Sequence, residues 1–242
     1  MNLRSPHLKK ALLAVMAVVS LAILPTSAQA VPISGELNLA GRVRVDATTI
    51  DWLELLGAGT DNEFIVLFGT EHFDGLAFTQ GDALDLNVAL QPIGVPFSLP
   101  NFLTFEADEG LSFELQFIAP CDPASCLFPG TPFNAYQETI GGVVRTTVEL
   151  AMSGIATDTA GPNAVEGASM WQGTWSQSFV GVSIADLQAA FAPGGPGFIV
   201  APYAADIEVT FIPEPMTLLT FGAGTALLAA HRRRRTKQNK NA

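Results

Sequence analysis

Residues 31–212 contain no lysine, and Arg42, Arg44 and Arg145 are their only basic residues of that class. Against these stand twenty-two acidic residues, a formal charge of about −19 for the stretch. The whole-chain value of −11 hides this imbalance, because the other basic residues lie before residue 31 or after residue 212. A surface so poor in cations excludes nucleic-acid binding, which needs a positive footprint. It also argues against an anionic membrane surface. Histidine is almost absent too. His72 is the only one in the stretch, and with two cysteines it is too little for a zinc site. No Gly-x-Ser-x-Gly elbow supplies an activated serine, and no internal repeat of fixed length is visible.

What is present begins at the two termini. Arg4, Lys9 and Lys10 precede an apolar run from Ala11 to Leu24; Pro25 breaks it, and Ala28-Gln29-Ala30 has the small-x-small pattern of a cleavage site. This predicts a secretory signal peptide over 1–30, cut after Ala30 to leave Val31 as the new terminus. At the other end Pro213-Glu214-Pro215 precedes an uncharged run, Met216 to Ala230, followed by Arg232, Arg233, Arg234 and Arg235. As a helix that run spans roughly 22 Å at about 1.5 Å per residue, short of the about 30 Å hydrocarbon core. Snorkelling arginines lengthen its reach, and the positive-inside rule places them in the cytoplasm as an anchor.

Motif, apolar span and basic cluster in this order resemble the PEP-CTERM sorting signal of Gram-negative bacteria. The resemblance covers only 213–242. It implies an exosortase-like membrane protease as partner, acting near Pro213-Glu214-Pro215. It further implies an inner-membrane-anchored precursor, passed to the cell surface, the outside or an exopolysaccharide matrix. The order of the body also resembles uncharacterised exported β-rich proteins carrying that tail, through Ser34-Gly35-Glu36-Leu37 and Thr131-Pro132-Phe133. That second resemblance implies no activity.

Export sets the redox state of Cys121 and Cys126. An oxidising compartment makes a local disulfide the default; redox catalysis is the alternative, at a spacing wider than that of thioredoxin-like sites.

Period-two patterning dominates 31–212. It predicts strands over Ile33–Val45 (a pair or one long strand), Thr49–Leu55, Phe64–Phe68, Leu84–Val88, Phe102–Phe105, Leu111–Phe117, Val143–Met152, Ser169–Val182 (a pair or one bent strand) and Ala204–Phe211, with a weaker one over Phe73–Thr79. Ala119–Pro132 and Ser153–Gly167 read as loops. One helix is expected after Ser183, with Asp186 completing a capping box and Ile184, Leu187, Ala190 and Phe191 forming its apolar face. About ten short strands predict an all-β, antiparallel β-sandwich or jelly-roll-like body with one short helix, flanked by the signal peptide and a transmembrane sorting helix.

Chemistry is sparsely signalled. His72, beside Glu71 and Asp74, lacks an evident nucleophile. Glu106, Asp108 and Glu109, and separately Asp82 and Asp85, offer carboxylates that a glycosidase would need in pairs. Asp61 and Glu63, with Asp108 and Glu109, are weak calcium candidates without EF-hand spacing; no other cofactor is expected. Trp52, Trp171, Trp175, Tyr136 and Tyr203 could build an aromatic sugar platform; Trp171 and Trp175, four apart, share one face of a strand. The leading expectation is a non-enzymatic, structural or adhesive surface protein sorted by exosortase. The alternative is a secreted carbohydrate-binding module or glycan-active hydrolase.

Overall fold

The computed structural model describes residues 33–46, 48–54, 62–160, 167–192 and 194–211, all within the second of the two units into which the chain divides, Pro32–Ala242. Their strands are β1 (Gly35–Asp46), β2 (Thr49–Leu53), β3 (Glu63–Gly69), β4 (Gln80–Ala83), β5 (Leu86–Asn87), β6 (Leu99–Phe105), β7 (Asp108–Ile118), β8 (Phe133–Ile140), β9 (Val143–Asp158), β10 (Ala168–Val180) and β11 (Phe198–Phe211). The one α-helix among the described residues, α1, runs from Ile184 to Phe191, and a 3-10 helix covers Glu71–Leu76.

The strands form a single antiparallel sheet ordered β11-β10-β9-β7-β6-β4-β3-β1, and β1 pairs back onto β11. The expected β-sandwich is therefore corrected to a closed eight-stranded barrel. The cause is the last strand. β11 is fourteen residues long and bonds β10 along one edge and β1 along the other. Its register with β1 runs unbroken from Gly35↔Val209 to Asp46↔Phe198. Closure satisfies both edges that a sandwich would leave open.

Two long strands each serve two neighbours. β1 pairs β3 through Leu37–Gly41 and β2 through Arg42–Val45. β9 pairs β8 through Val143–Leu150 and β7 through Met152–Asp158, with a bulge in β7 at Leu115–Phe117. Beyond these switch points the wall continues as a trough of β2, β1, β11, β10, β9 and β8. The barrel thus has a closed end and an open end.

Side chains fill the closed end, as an eight-stranded interior allows. Leu37, Leu39, Phe64, Phe102, Phe113 and Trp171 are all buried. Small residues in the wall make room for the large ones. A side chain at Gly154 would strike the Glu114 carbonyl and the Trp171 indole; with glycine there, Trp171 Nε1 donates to Glu114 O at 2.9 Å. The 3-10 helix plugs this end by burying Phe73 and Leu76. The weak strand expected over Phe73–Thr79 is thereby corrected, since Phe73 and Leu76 are one helical turn apart. The loop expected from Ser153 is corrected as well, because β9 continues to Asp158 with Gly154 and Ala156 facing inward.

Among the described residues no helix is long and apolar enough to cross a membrane. That finding corrects the expected inner-membrane-anchored precursor. The signal peptide with Ala28 and Ala30, the Pro213-Glu214-Pro215 motif, the run assigned to the sorting helix and Arg232–Arg235 lie outside the described residues.

Candidate functional site

The open end holds a recess of about 80 Å³ within a wider cleft. Inward-facing positions of the trough line it: Val43 and Val45 from β1, Val148 and Leu150 from β9, Trp175 and Phe179 from β10, Ile199, Ala201 and Tyr203 from β11. Each set follows the two-residue period of a strand. Trp52 on β2 completes the floor, its ring 5.1 Å from Tyr203 and 6.3 Å from Trp175. Trp52 is fixed at both its nitrogens: Nε1 donates to Leu84 O and the backbone N–H to Asp85 Oδ1, each at 2.9 Å.

A cover lies over the trough. α1 begins with the expected capping box: Ser183 N donates to Asp186 Oδ2 at 2.9 Å and Asp186 N to Ser183 Oγ at 3.2 Å. The Ser183 hydroxyl also donates to Asp186 Oδ2 at 2.6 Å, and that bond, then the one from Ser183 N, holds the Asp186 carboxyl below its usual value. Leu187 is buried in the recess wall. Phe191 meets Phe128 edge to face at 5.3 Å, and Gln188 Nε2 donates to Leu127 O at 2.9 Å. Cys121 and Cys126 are joined by a disulfide, which closes the loop immediately before Leu127 and Phe128.

Nearly all the surface presented to the recess is apolar. Gln177 reaches it, but its Nε2 donates to Ser178 O at 2.7 Å. Glu149 and Ser176 are also among the lining residues, and so is Tyr203. It is 6% exposed, and burial drives its hydroxyl well above the usual phenol range.

The residues expected from sequence to carry chemistry are elsewhere. His72 Nε2 lies 3.0 Å from Asp158 Oδ2, a fully buried carboxylate on β9. Its partner is not Glu71 or Asp74. Ser34 Oγ, which adjoins the plug, donates to Glu71, so no serine triad forms around this histidine among the described residues. The pair pins the plug to the wall. Glu63 and Asp82 face each other across β3 and β4, and burial, then the Glu63 charge, raises the Asp82 carboxyl. Asp108 Oδ1 accepts from Gly110 N at 3.2 Å, and Asp85 serves Trp52. Among the described residues no three metal-ligating side chains gather; Asp61 lies outside them.

The aromatic platform is also placed differently. Trp171 and Trp175 do share a face, with rings 6.1 Å apart, but that face is the barrel interior. They are 1% and 5% exposed, and Trp52 1%; Tyr136 alone of the five is at the surface. Sequence reasoning missed the recess itself. The alternation of each lining strand was visible, but the recess exists only because the first and last strands meet.

No family model, curated protein or solved structure matches this chain. None of these comparisons links it to exosortase substrates. With no spanning helix among the described residues, the reading as a sorted, structural matrix protein is corrected and set aside. What fold and recess together define is a closed antiparallel barrel with an apolar receptacle at one end.

Proposed function

We propose that the chain is a non-catalytic binding protein that takes a small apolar molecule into the open end of the barrel. The observation that carries this reading is the recess: apolar walls from six strands, under a helix fixed by its own caps, in a barrel otherwise filled by side chains. One water needs about 10–15 Å³ on this measure and two to four polar partners. The recess has the volume for several waters and almost no partners for them. Apolar surface brought into it leaves water favourably.

Of the two readings raised by the sequence, a binding module is nearer to this geometry than a matrix protein. The ligand class differs from the one expected there. A sugar in the recess would lose water from several hydroxyls without compensation. The recess suits one ring and the wider cleft around it a second, which the faces and edges of Trp52, Trp175 and Tyr203 can pack against.

Trp52 and Trp175 report occupancy directly. Naphthalene titrated into the protein is expected to change tryptophan fluorescence saturably, with a Kd on the order of 10–100 µM. Ala201→Phe, which fills the recess from β11, should abolish the change while far-UV circular dichroism stays native. A linear, unsaturable response in the unaltered protein would refute the reading.

A further inference from the structure

The outer face of the barrel carries a feature that the recess does not explain. Leu111, Phe113 and Leu115 of β7 alternate inward, and the same period would carry Phe117 inward too. The bulge at Leu115–Phe117 reverses this: Ile118 is buried inside, and Phe117 stands opposite Ser153 on the outer face. Bulges re-aim side chains in this way. Phe117 is half-buried yet lies apart from the hydrophobic core, and it lines an outer groove of about 680 Å³. From Phe117 one cross-strand row runs through Ser153, Gln172 and Glu208 to Glu36. In the next row Asn38 lies opposite Asp206.

The polar side chains of this groove offer many acceptors and few donors. Asn38 Nδ2 donates to Asp206 Oδ1 at 2.5 Å, and Gln172 Nε2 to Glu208 Oε2 at 3.0 Å. Glu36 faces Glu208 directly across the β1–β11 ladder, a like-charge pairing that costs stability. Among the described residues no arginine forms an ion pair with Glu36, Asp206 or Glu208, and the three do not gather into a metal site. We propose that the groove binds an oligosaccharide of amino sugars whose amines are free and protonated. Its ammonium groups answer the carboxylates, its hydroxyls donate to the remaining oxygens, and the C–H face of a ring packs on Phe117. The row crosses β7, β9, β10, β11 and β1, about 4.8 Å apart, which gives room for several linked rings. A neutral sugar would leave the carboxylates unanswered, and a basic peptide would not need the ring of Phe117. This site is separate from the recess and stands whether or not the recess binds its ligand.

Chitotriose, its triacetylated form and trilysine separate the parts of this claim. The first carries rings and charge, the second rings without charge, the third charge without rings. Each is titrated calorimetrically into the full chain at low salt and about pH 6, where the carboxylates are ionised. Chitotriose is expected to bind saturably with a Kd on the order of 100 µM, and each of the others at least about tenfold more weakly. Phe117→Ala should weaken chitotriose about three- to tenfold and Glu208→Gln about as much, with far-UV circular dichroism native in both. Glu208→Gln should also narrow the preference for chitotriose over its triacetylated form. Trilysine binding as tightly as chitotriose would overturn the sugar in favour of a basic peptide. The triacetylated form binding as tightly would overturn the role of the carboxylates. No saturable binding of chitotriose, or binding indifferent to both substitutions, would overturn the site.

Discussion

The two ends of the barrel use the same kind of residue for different purposes. At the closed end Phe102, Phe105, Phe113 and Trp171 interlock, with Phe102 stacked on Trp171 at 6.2 Å and Phe105 5.5 Å from Phe113. At the open end Trp52, Trp175 and Tyr203 are equally buried, but the packing above them stops short and a helix spans the gap. The difference follows from strand pairing. Where β3, β4, β6 and β7 complete the ring, the interior is narrow enough to fill. Where β1 and β9 pass beyond their ring partners to β2 and β8, the wall spreads. Aromatic rings that supply cohesion at one end become a lining at the other.

Substitutions should expose this division, the largest effects falling at the closed end. Trp171→Ala removes the ring packed against Phe102 and Phe113 and the bond to Glu114 O; it is expected to cost about 3–5 kcal/mol in urea unfolding. A cost below about 1 kcal/mol would mean that the closed end is not the packed half. His72→Ala strips the buried Asp158 of its charged-group hydrogen bond and should cost about 2–3 kcal/mol, measured the same way, with naphthalene affinity in the folded protein unchanged. At the open end, Cys121→Ser with Cys126→Ser frees a short loop, for which chain entropy gives about 2 kcal/mol. Because Leu127 and Phe128 follow that loop, this variant should weaken naphthalene binding as well, which the His72 variant should not. If both variants weaken binding alike, the ends are not separable.

The smallest effect is a pH dependence in the cover. The Asp186 carboxyl is held below its ordinary value by Ser183, so its contribution is present above the unfolded value of about 3.9. It is lost as pH falls through the lower, folded value. Thermal unfolding of the native protein and Asp186→Asn should therefore differ at pH 6 and converge once the pH has fallen through the folded value. Asp46 adds to the same trend. Burial acts to raise its pKa, but four hydrogen bonds from Thr48 and Thr49 prevail and lower it. Asp82, whose pKa is raised, works in the opposite direction. The Asp186→Asn difference isolates the cap from both.

Local features were legible in the sequence because local physics sets them. The Ser183 and Asp186 cap needs only a spacing of three, and the shared face of Trp171 and Trp175 needs only a period of two. The 3-10 plug could have been found in the Phe73 and Leu76 spacing, which is helical rather than alternating. The far end of β9 was obscured because Gly154 and Ala156 resemble loop residues; they are small because Trp171 and Phe113 need the space. Ring closure had no local signature. Leu37 to Val45 reads the same whether its neighbour is a second sheet or β11, and the partner lies about 160 residues away. The candidate site inherits that blindness, since its floor joins Trp52 to Tyr203 and its cover joins Leu127 to Leu187. The His72–Asp158 pair was hidden for the same reason, with nearer carboxylates at Glu71 and Asp74 drawing attention first.

Methyl-resolved NMR with naphthalene tests the division of labour at its centre. The account predicts shifts at Val43, Val148, Leu150, Leu187 and Ile199, which face the recess, and none at Leu37, Leu111 or Leu115, deep in the closed end. Shifts spread equally over both groups, or absent from the first, would contradict it.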